Sequence, residues 1–471
     1  GRALVGGLLA PQSIELFGPR LRVRRDQAGI GIDFTDTNEQ SRDLTLRILN
    51  QLLAEPDPDN PMSYLTRLEI ISAEITLDDQ LLGKSWVTQS ANVRLRRDAV
   101  GLVGNVRLAL DVNGRRTEIS TAVGYQSAAR RIDLTVQFSD VSPAVFSSLY
   151  YELGPLRAFA LPLQGTVTAG MSLDGTFEAA SFDLTGGRGA LNLPGALPQT
   201  LPVEKVSLKG SYEGAEDILD VEELSLALGP EGSLMLPAPI NHQMPLASLR
   251  LKGRFMGKAQ RLEIKELEAD LQGPSVSLNA VANGFSGATN YDRDKITLDL
   301  KGALSDVPVD QLSRYWPATL NHDAQSWSVK RLSKGILHQA RAEMRLSLDG
   351  GAFEVVSLDG DMEVSGVSVD YLSPMPPVRE TKAYMKFDKK NFNIFIASGA
   401  SESLNVSEAK VLISGLDKVD QIANITVAID GAFSDKLAYL DHKPLEYASA
   451  LGIDPKTTKG IAATELKLKF I

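Results

Sequence analysis

The sequence contains no cysteine. This absence excludes disulfide bonds, thiol nucleophiles and cysteine-ligated zinc or iron–sulfur sites. Histidine is scarce as well, and the four histidines show no i, i+4 pairing of the kind that binds zinc on a helix. No pair of carboxylates or nucleophile with a nearby base stands out either. We therefore expect a protein that is not an enzyme, with no catalytic residue, no metal and no cofactor.

A long apolar run is also missing. A membrane-spanning helix needs about 20 consecutive apolar residues, and the closest stretch, ALVGGLLA at 3–10, is much shorter. The chain has no initiator methionine and ends within a strand-like pattern, TELKLKFI at 464–471. We therefore expect an internal fragment of a longer protein, so that any membrane anchor would lie outside this chain.

Excess positive charge is absent too. The 49 lysines and arginines are outnumbered by 59 acidic residues, which gives a net charge of −10 and a pI of about 5.2. Nucleic-acid-binding domains usually carry a basic face and a high pI. The composition therefore predicts no nucleic-acid partner.

The sequence is rich in strict alternation of apolar and polar residues. This period of two is typical of strands with one apolar and one solvated face, as in antiparallel sheets. The apolar positions of the clearest segments are Ile132, Leu134, Val136 and Phe138; Ile296, Leu298 and Leu300; Met344, Leu346 and Leu348; Phe392, Ile394 and Ile396; Ile425, Val427 and Ile429; and Leu466, Leu468 and Phe470. The pattern predicts a mainly β protein, but it does not decide whether a second sheet covers the apolar faces or whether one sheet curls around an apolar trough.

Turns and helices complete the prediction. Asn-Gly at 113–114 and Asp-Gly at 174–175, 349–350, 359–360 and 430–431 predict tight hairpins, because two-residue loops need the positive φ that these residues adopt readily. One long helix is predicted at 38–55, where leucines and isoleucines recur at helical spacing.

A short phrase containing Ser-Asp occurs three times, at 139–140, 305–306 and 434–435. Each copy follows an alternating strand and precedes a short helical segment. We expect the Ser and Asp side chains to cap the first N–H groups of that helix. The repeats predict an N-terminal module at 1–136, further modules at 137–301 and 302–430, and the truncated start of a fourth at 431–471, with the short helices at the module junctions.

Longer stretches of the chain resemble the AsmA-like envelope proteins, especially the YhdP branch. The resemblance depends on the order and spacing of many segments rather than on one motif. The main stretches are PQSIELFGPRLRVRRDQAGIGI (11–32), LTRLEIISAEITLDDQLLGKSWVTQSANVRLRRDAVGLVGNVRLAL (65–110), LPLQGTVTAGMSLDGTFEAASFDLTGGRGALNLPG (161–195), YWPATLNHDAQSWSVKRLSKGILHQARAEMRLSL (315–348), VDYLSPMPPV (369–378) and PLEYASALGIDPKTTKGIAA (444–463).

The resemblance implies an elongated, curled antiparallel β-sheet with an apolar groove. It also implies a location in the periplasm, with anchoring to the inner membrane by an N-terminal helix that this chain does not include. The implied function is that of a lipid-transfer conduit, with phospholipids and both membranes as partners, in which the alternating apolar residues line the groove.

Two other functions stay open. One is an AsmA-like structural or assembly factor for outer-membrane biogenesis that carries no lipid. The other is an ordinary β-sandwich protein, such as a carbohydrate-binding protein or hydrolase, which would have dry cores and a cleft with converging carboxylates.

Overall fold

The computed structural model describes residues 11–26, 29–34, 64–79, 84–97, 101–112, 115–147, 154–172, 177–193, 199–236, 240–286, 295–349 and 352–470. The chain divides into two compact units, Gly1–Ala227 and Leu228–Ile471. The predicted helix at 38–55 and the apolar stretch at 3–10 lie outside the described residues. The division into four modules is not tested by these two units and stays a prediction.

The first unit consists mainly of a large sheet. Its strands are β1 (Ser13–Phe17), β2 (Arg20–Asp26), β3 (Gly29–Phe34), β4 (Arg67–Asp79), β5 (Lys84–Arg97), β6 (Gly101–Val112), β7 (Arg115–Gln126), β8 (Arg131–Val141), β10 (Leu163–Ser172), β11 (Phe177–Gly186), β14 (Lys205–Glu213) and β15 (Ile218–Ala227). A small sheet contains β9 (Phe159–Ala160), β12 (Gly189–Leu193) and β13 (Gln199–Val203). Short 3-10 helices at Pro143–Phe146 and Gly154–Ala158 connect β8 to β9.

The second unit has the same design. Its large sheet contains β18 (Ser248–Met256), β19 (Arg261–Asp270), β20 (Ser275–Asn283), β21 (Lys295–Pro308), β22 (Leu332–Ser333), β23 (Ile336–Asp349), β24 (Ala352–Val369), β25 (Val378–Asp388), β26 (Asn391–Ser401), β27 (Leu404–Ser414), β28 (Ile422–Asp430) and β29 (Thr464–Phe470). A separate hairpin is formed by β16 (Ser233–Leu236) and β17 (His242–Pro245). The α-helices are α1 (Leu312–Tyr315), α2 (His322–Arg331), α3 (Phe433–Leu440) and α4 (Tyr447–Ala450), with 3-10 turns at Val309–Gln311 and Pro455–Thr457.

The predicted fold class, mainly β with a few short helices, is confirmed. One part of it is wrong, because the sheet is mixed rather than purely antiparallel. In the first unit β1 and β2 both pair with β4 in parallel, whereas β4 to β8 form an antiparallel meander. Parallel pairing requires a long connection, and the interval between the end of β3 and the start of β4 supplies the necessary length of chain.

The two ends of the strands in the second unit differ. At one end lie the connections 309–335, 370–377 and 431–463, which contain all the α-helices described above. We call this end the junction rim. At the opposite end β25 and β26 are joined by Lys389 and Lys390, and β27 and β28 by residues 415–421. We call this end the hairpin rim.

The predicted capping by the Ser-Asp phrase is wrong. Ser139-Asp140 and Ser305-Asp306 lie inside β8 and β21, and the third copy lies inside α3, whose N-cap is Ala432. Asp140 and Asp306 have φ values of 55° and 61°. Asp adopts this left-handed region more readily than most residues do, so the first two copies mark an irregular residue near the end of a strand, and no copy is a helix cap.

The hairpin predicted at Asp359-Gly360 is also wrong, since both residues lie in the middle of β24. A Cβ atom on Gly360 would overlap the ring of Phe387 on the neighbouring strand. The glycine is therefore explained by the close approach of an aromatic ring and not by a turn. Asp430-Gly431 likewise leads from β28 into α3 rather than into a hairpin.

Candidate functional site

The strand registers of the second unit bring apolar residues into continuous rows across the sheet. In one of these rows, which we call the central row, each residue lies directly opposite the next on the neighbouring strand, and no member is polar. Its members, in order from β18 to β29 without β22, are Leu249, Ala269, Val276, Leu304, Ala340, Met362, Met385, Ile394, Val411, Ile425 and Leu468.

Two further rows flank this central row on the same face of the sheet. The row toward the hairpin rim contains Leu251, Leu267, Leu278, Gly302, Ala342, Gly360, Phe387, Phe392, Ile413, Ala423 and Phe470. The row toward the junction rim contains Val307, Leu337, Val364, Ala383, Ile396, Ala409, Val427 and Leu466. The three rows, together with the apolar residues that continue them at every second position on the same side of each strand, such as Leu298, Met344 and Ile429, define what we call the apolar face of the second unit.

Bulges keep this face apolar where the sequence changes phase. The register of β24 shifts at Val356 against β23 and at Gly366 against β25. Each extra residue turns the following side chains to the opposite face. Leu358 and Val367 therefore return to the apolar side, although simple alternation counted from Val355 would place Leu358 on the other side.

The predicted groove residues of the second unit all lie on the apolar face. Leu298 lies opposite Ala282 and Leu346, and Ile425 lies opposite Val411 and Leu468. Ile296, Leu346 and Ile429 are buried, Leu468 and Phe470 are 40% and 49% exposed, and the others are half-buried. The half-buried ones are Leu298, Leu300, Met344, Leu348, Phe392, Ile394, Ile396, Ile425, Val427 and Leu466.

The four predicted residues of β8 occupy an equivalent face in the first unit. Ile132, Leu134, Val136 and Phe138 are half-buried. Their cross-strand neighbours are, in the same order, Tyr125 and Met171, Val123 and Ala169, Thr121 and Val167, and Ile119 and Gly165. Apart from Thr121, these neighbours are apolar, aromatic or glycine, so this sheet also has one predominantly apolar face.

The opposite face of the second unit is polar and carries ion pairs between strands. The Arg345 Nε atom lies 2.6 Å from Asp299 Oδ1, and an Arg341 nitrogen lies 2.8 Å from Asp361 Oδ1. Hydrogen bonding to these carboxylates raises the pKa of both arginines. Such exposed pairs add little to stability because solvent screens them, so they mark a solvated face more than they stabilise the fold.

The strands of the second unit also line two surface depressions. One of about 670 Å³ lies between polar-face side chains such as Lys301, Glu343 and Arg345. A smaller one of about 300 Å³ lies beside Tyr384 and Phe395, again on the polar face. Apolar-face residues also line both depressions: Leu300 and Met344 line the larger one, and Ala383, Ile396 and Ala409 line the smaller one.

A second layer covers the apolar face at the junction rim. Met375 and Tyr439 pack against Leu404 and Ile429 of the sheet, and all four residues are buried. Around them lie the half-buried Leu372, Leu445, Val427 and Leu466. We call the covering part of this cluster, which is formed by Leu372, Met375, Tyr439 and Leu445, the junction wall.

Hydrogen bonds hold the junction wall in place. The Tyr371 and Tyr439 hydroxyls lie 2.9 Å apart, and Ser403 Oγ donates to the Asp435 carboxylate at 2.7 Å. Lys436 Nζ donates to the Ala462 carbonyl. Burial, followed by the hydrogen bond to Tyr439, raises the pKa of Tyr371. The third Ser-Asp copy thus anchors α3 to the turn between β26 and β27.

Sequence reasoning missed the wall and several face residues. Met375 and Tyr439 lie in connections, where no alternation marks them. Met385 and Phe387 were not nominated, although the pattern AYMKFD at 383–388 alternates and could have revealed them. In the part of the chain that the structure describes, no three acidic or histidine side chains converge to hold a metal ion, and no helix there is long and apolar enough to cross a membrane.

Comparison with known protein families gives one match. The sequence profile of the YhdP protein family matches residues 66–470. No curated protein and no solved structure matches the chain. The family match covers most of the chain, including every strand from β4 to β29.

Proposed function

The chain belongs to the YhdP family of AsmA-like proteins, and we propose that its apolar sheet face binds phospholipid acyl chains and serves as part of a lipid-transfer conduit. The observation that carries this proposal is the continuous apolar face of the second unit, which stays half-exposed along much of its length. An ordinary core of this size would be covered by a second sheet or by helices. Within the β24–β29 region, the described residues that cover the face lie at the junction rim.

Contact with the apolar face lowers the free energy of an acyl chain relative to its free energy in water. Burying one CH₂ group is worth about 0.8 kcal/mol, so an acyl chain of about sixteen carbons costs on the order of 10 kcal/mol in water. Rows of apolar side chains remove much of that cost while the polar face and its ion pairs remain in water. Because successive strands offer similar apolar contacts, lipid moves along the rows without a deep trap. No catalytic residue is required for this process.

The setting of the conduit is also part of the proposal. We place the protein in the periplasm, anchored to the inner membrane by a segment outside this chain, and assign it phospholipid movement between the inner and outer membranes. The support is the family membership together with the similarity of the stretches quoted above to AsmA-like envelope proteins.

The first test is lipid extraction from the purified chain followed by mass spectrometry, with an unrelated acidic β protein prepared in parallel. We expect phospholipid in reproducible stoichiometry, well above that control. A folded chain free of lipid, with no uptake from added vesicles, would contradict the proposal and favour the scaffold function, in which the protein assists envelope assembly without carrying lipid.

The second test uses matched substitutions on the two faces of one strand. Ile425→Asp places a carboxylate in the central row, whereas Thr426→Asp places it on the polar face between Lys410 and Lys467. Desolvating the introduced charge costs about 2 kcal/mol or more, so we expect a loss of lipid binding of roughly thirtyfold for Ile425→Asp alone. Leu298→Asp and Thr297→Asp form an equivalent pair on β21.

Circular dichroism of each variant separates binding from folding. Equal lipid retention in Ile425→Asp and Thr426→Asp would show that the apolar face does not carry the lipid. Val427 is a poorer position for this test, because it packs against the cluster beneath the junction wall, and a charge there disturbs packing as well as binding.

A further inference from the structure

We infer that a phospholipid on the β24–β29 part of the apolar face lies along the strand direction, with its acyl ends toward the junction wall and its headgroup at the hairpin rim. This inference rests on the proposed function and adds the direction in which the bound lipid points. The asymmetry between the two rims carries it.

The junction rim is closed by packed side chains. Leu404 and Met375 are 3% and 4% exposed, and Ile429 and Tyr439 are 8% exposed. A phosphate headgroup placed there would lose its hydration, and the one polar group of the wall side chains, the Tyr439 hydroxyl, already bonds to Tyr371 and to the Pro376 carbonyl. Burying an unpaired charge is among the most costly changes in a protein interior. Acyl chains, in contrast, match the surface of this wall.

The hairpin rim is open. Phe387, Phe392 and Ile413 are only half-buried, and Phe470 is 49% exposed. The strands end just beyond these side chains in polar turns, which include the exposed Lys389 and Lys390. A headgroup at this rim stays in water while its acyl chains contact the rows behind it.

The width of the uncovered surface fits one acyl layer. On β28 the distance from Val427, which touches the wall cluster, to Ala423 at the hairpin rim is four residues, or about 13 Å at the rise of a strand. The hydrocarbon core of a bilayer is about 30 Å thick, so one layer of acyl chains occupies about 15 Å. A lipid lying along the strands therefore spans the surface from wall to rim.

Photocrosslinking of the unmodified chain tests this orientation. Two probes are loaded separately: a phosphatidylcholine with a diazirine at the end of one acyl chain, and a phosphatidylethanolamine with a diazirine on its headgroup. After irradiation, crosslinked peptides are located by mass spectrometry. We expect the acyl probe to label peptides containing Met375, Tyr439 and Leu466, and the headgroup probe to label 387–392 and 413–423, each with several-fold preference.

The outcomes distinguish a wrong orientation of the lipid from an absence of lipid binding. Labelling of the same strands with the pattern reversed, or equal for both probes, would overturn the orientation while leaving lipid binding intact. Labelling no stronger than that of the Ile425→Asp variant would instead contradict the proposed function. Thr426→Asp is the matched control and should keep the pattern of the unmodified chain.

Discussion

The apolar face of the second unit behaves differently at its two edges, although the same strands supply both. Ile429 and Leu404 are buried beneath the junction wall, whereas Ile425 and Ile413, on the same strands and the same face, remain half-exposed. All four residues are aliphatic and lie on the same face, on β27 because the bulge at Ser407 restores the phase between Leu404 and Ile413. What differs is the covering layer. Where it is present the apolar residues form a hydrophobic core, and where it is absent they form a surface available to a ligand.

The largest expected effect comes from charges at the two edges of β28. Ile429→Asp introduces a carboxylate into the buried cluster, and we expect it to cost on the order of 4 kcal/mol and to loosen α3. Ile425→Asp should change stability far less, because its side chain still reaches water. Hydrogen–deuterium exchange of peptides covering α3 and β28 measures this difference.

That contrast has a clear contrary result. Equal loss of protection in Ile429→Asp and Ile425→Asp would mean that Ile425 is packed like an ordinary core residue. Thr426→Asp, on the polar face between Lys410 and Lys467, is the control and should leave protection unchanged.

Truncations on β27 form a second comparison. Leu404→Ala removes a nearly inaccessible side chain and leaves a cavity, so we expect a loss of about 3 kcal/mol. Ile413→Ala removes a half-exposed side chain whose place water can take, and we expect a loss of about 1 kcal/mol. Denaturant unfolding monitored locally, by exchange protection of β27 and its neighbours, ranks the two. A larger effect at Ile413 would show that the hairpin rim is also packed in solution.

Two glycines of the row toward the hairpin rim, Gly360 and Gly302, provide a third comparison. Gly360 lies beneath Phe387, whose ring lies 6.0 Å from that of Phe392. Gly360→Ala should displace this aromatic pair and cost about 2 kcal/mol. At Gly302 an added Cβ would lie 3.2 Å from Leu278 Cδ1, so Gly302→Ala should stay within about 1 kcal/mol of zero. Thermal unfolding of both variants checks this, and equal shifts would mean that the ring does not rest on Gly360.

The alternation of apolar and polar residues was sufficient to predict the strands, because a strand with one apolar face requires an apolar residue at every second position. It also placed each candidate on the correct face of its own strand. What it could not predict was the register across bulges, since an extra residue such as Val356 or Gly366 is recognisable only once the partner strand is known.

The repeated phrase shows a second limit of local sequence. GALSD at 302–306 is strand and GAFSD at 431–435 runs into a helix, although four of the five letters agree. The residues that follow decide the outcome. Val307 and Pro308 after the first copy keep the chain extended, since Pro308 lacks an N–H and valine favours strands, whereas KLAYL after the second favours a helix.

The smallest expected effect concerns the hydrogen bond that fastens the junction wall. Tyr371→Phe removes the contact with the Tyr439 hydroxyl and should cost about 1 kcal/mol at neutral pH. The pKa of Tyr371 is raised in the folded chain, mainly by burial. Its contribution to stability is therefore fully present below the ordinary tyrosine pKa of about 10 and is lost as the pH rises further, because the unfolded chain ionises first. The stability difference between the unmodified chain and Tyr371→Phe should shrink above about pH 10, and denaturant unfolding at a series of pH values measures it. Tyr384→Phe, at an exposed tyrosine of the polar face, is the control for effects of removing a tyrosine hydroxyl that do not involve the junction wall. A difference for Tyr371→Phe that is constant across this range would mean that the hydroxyl ionises as freely in the folded chain as in the unfolded one, and that the wall is open to water at this point.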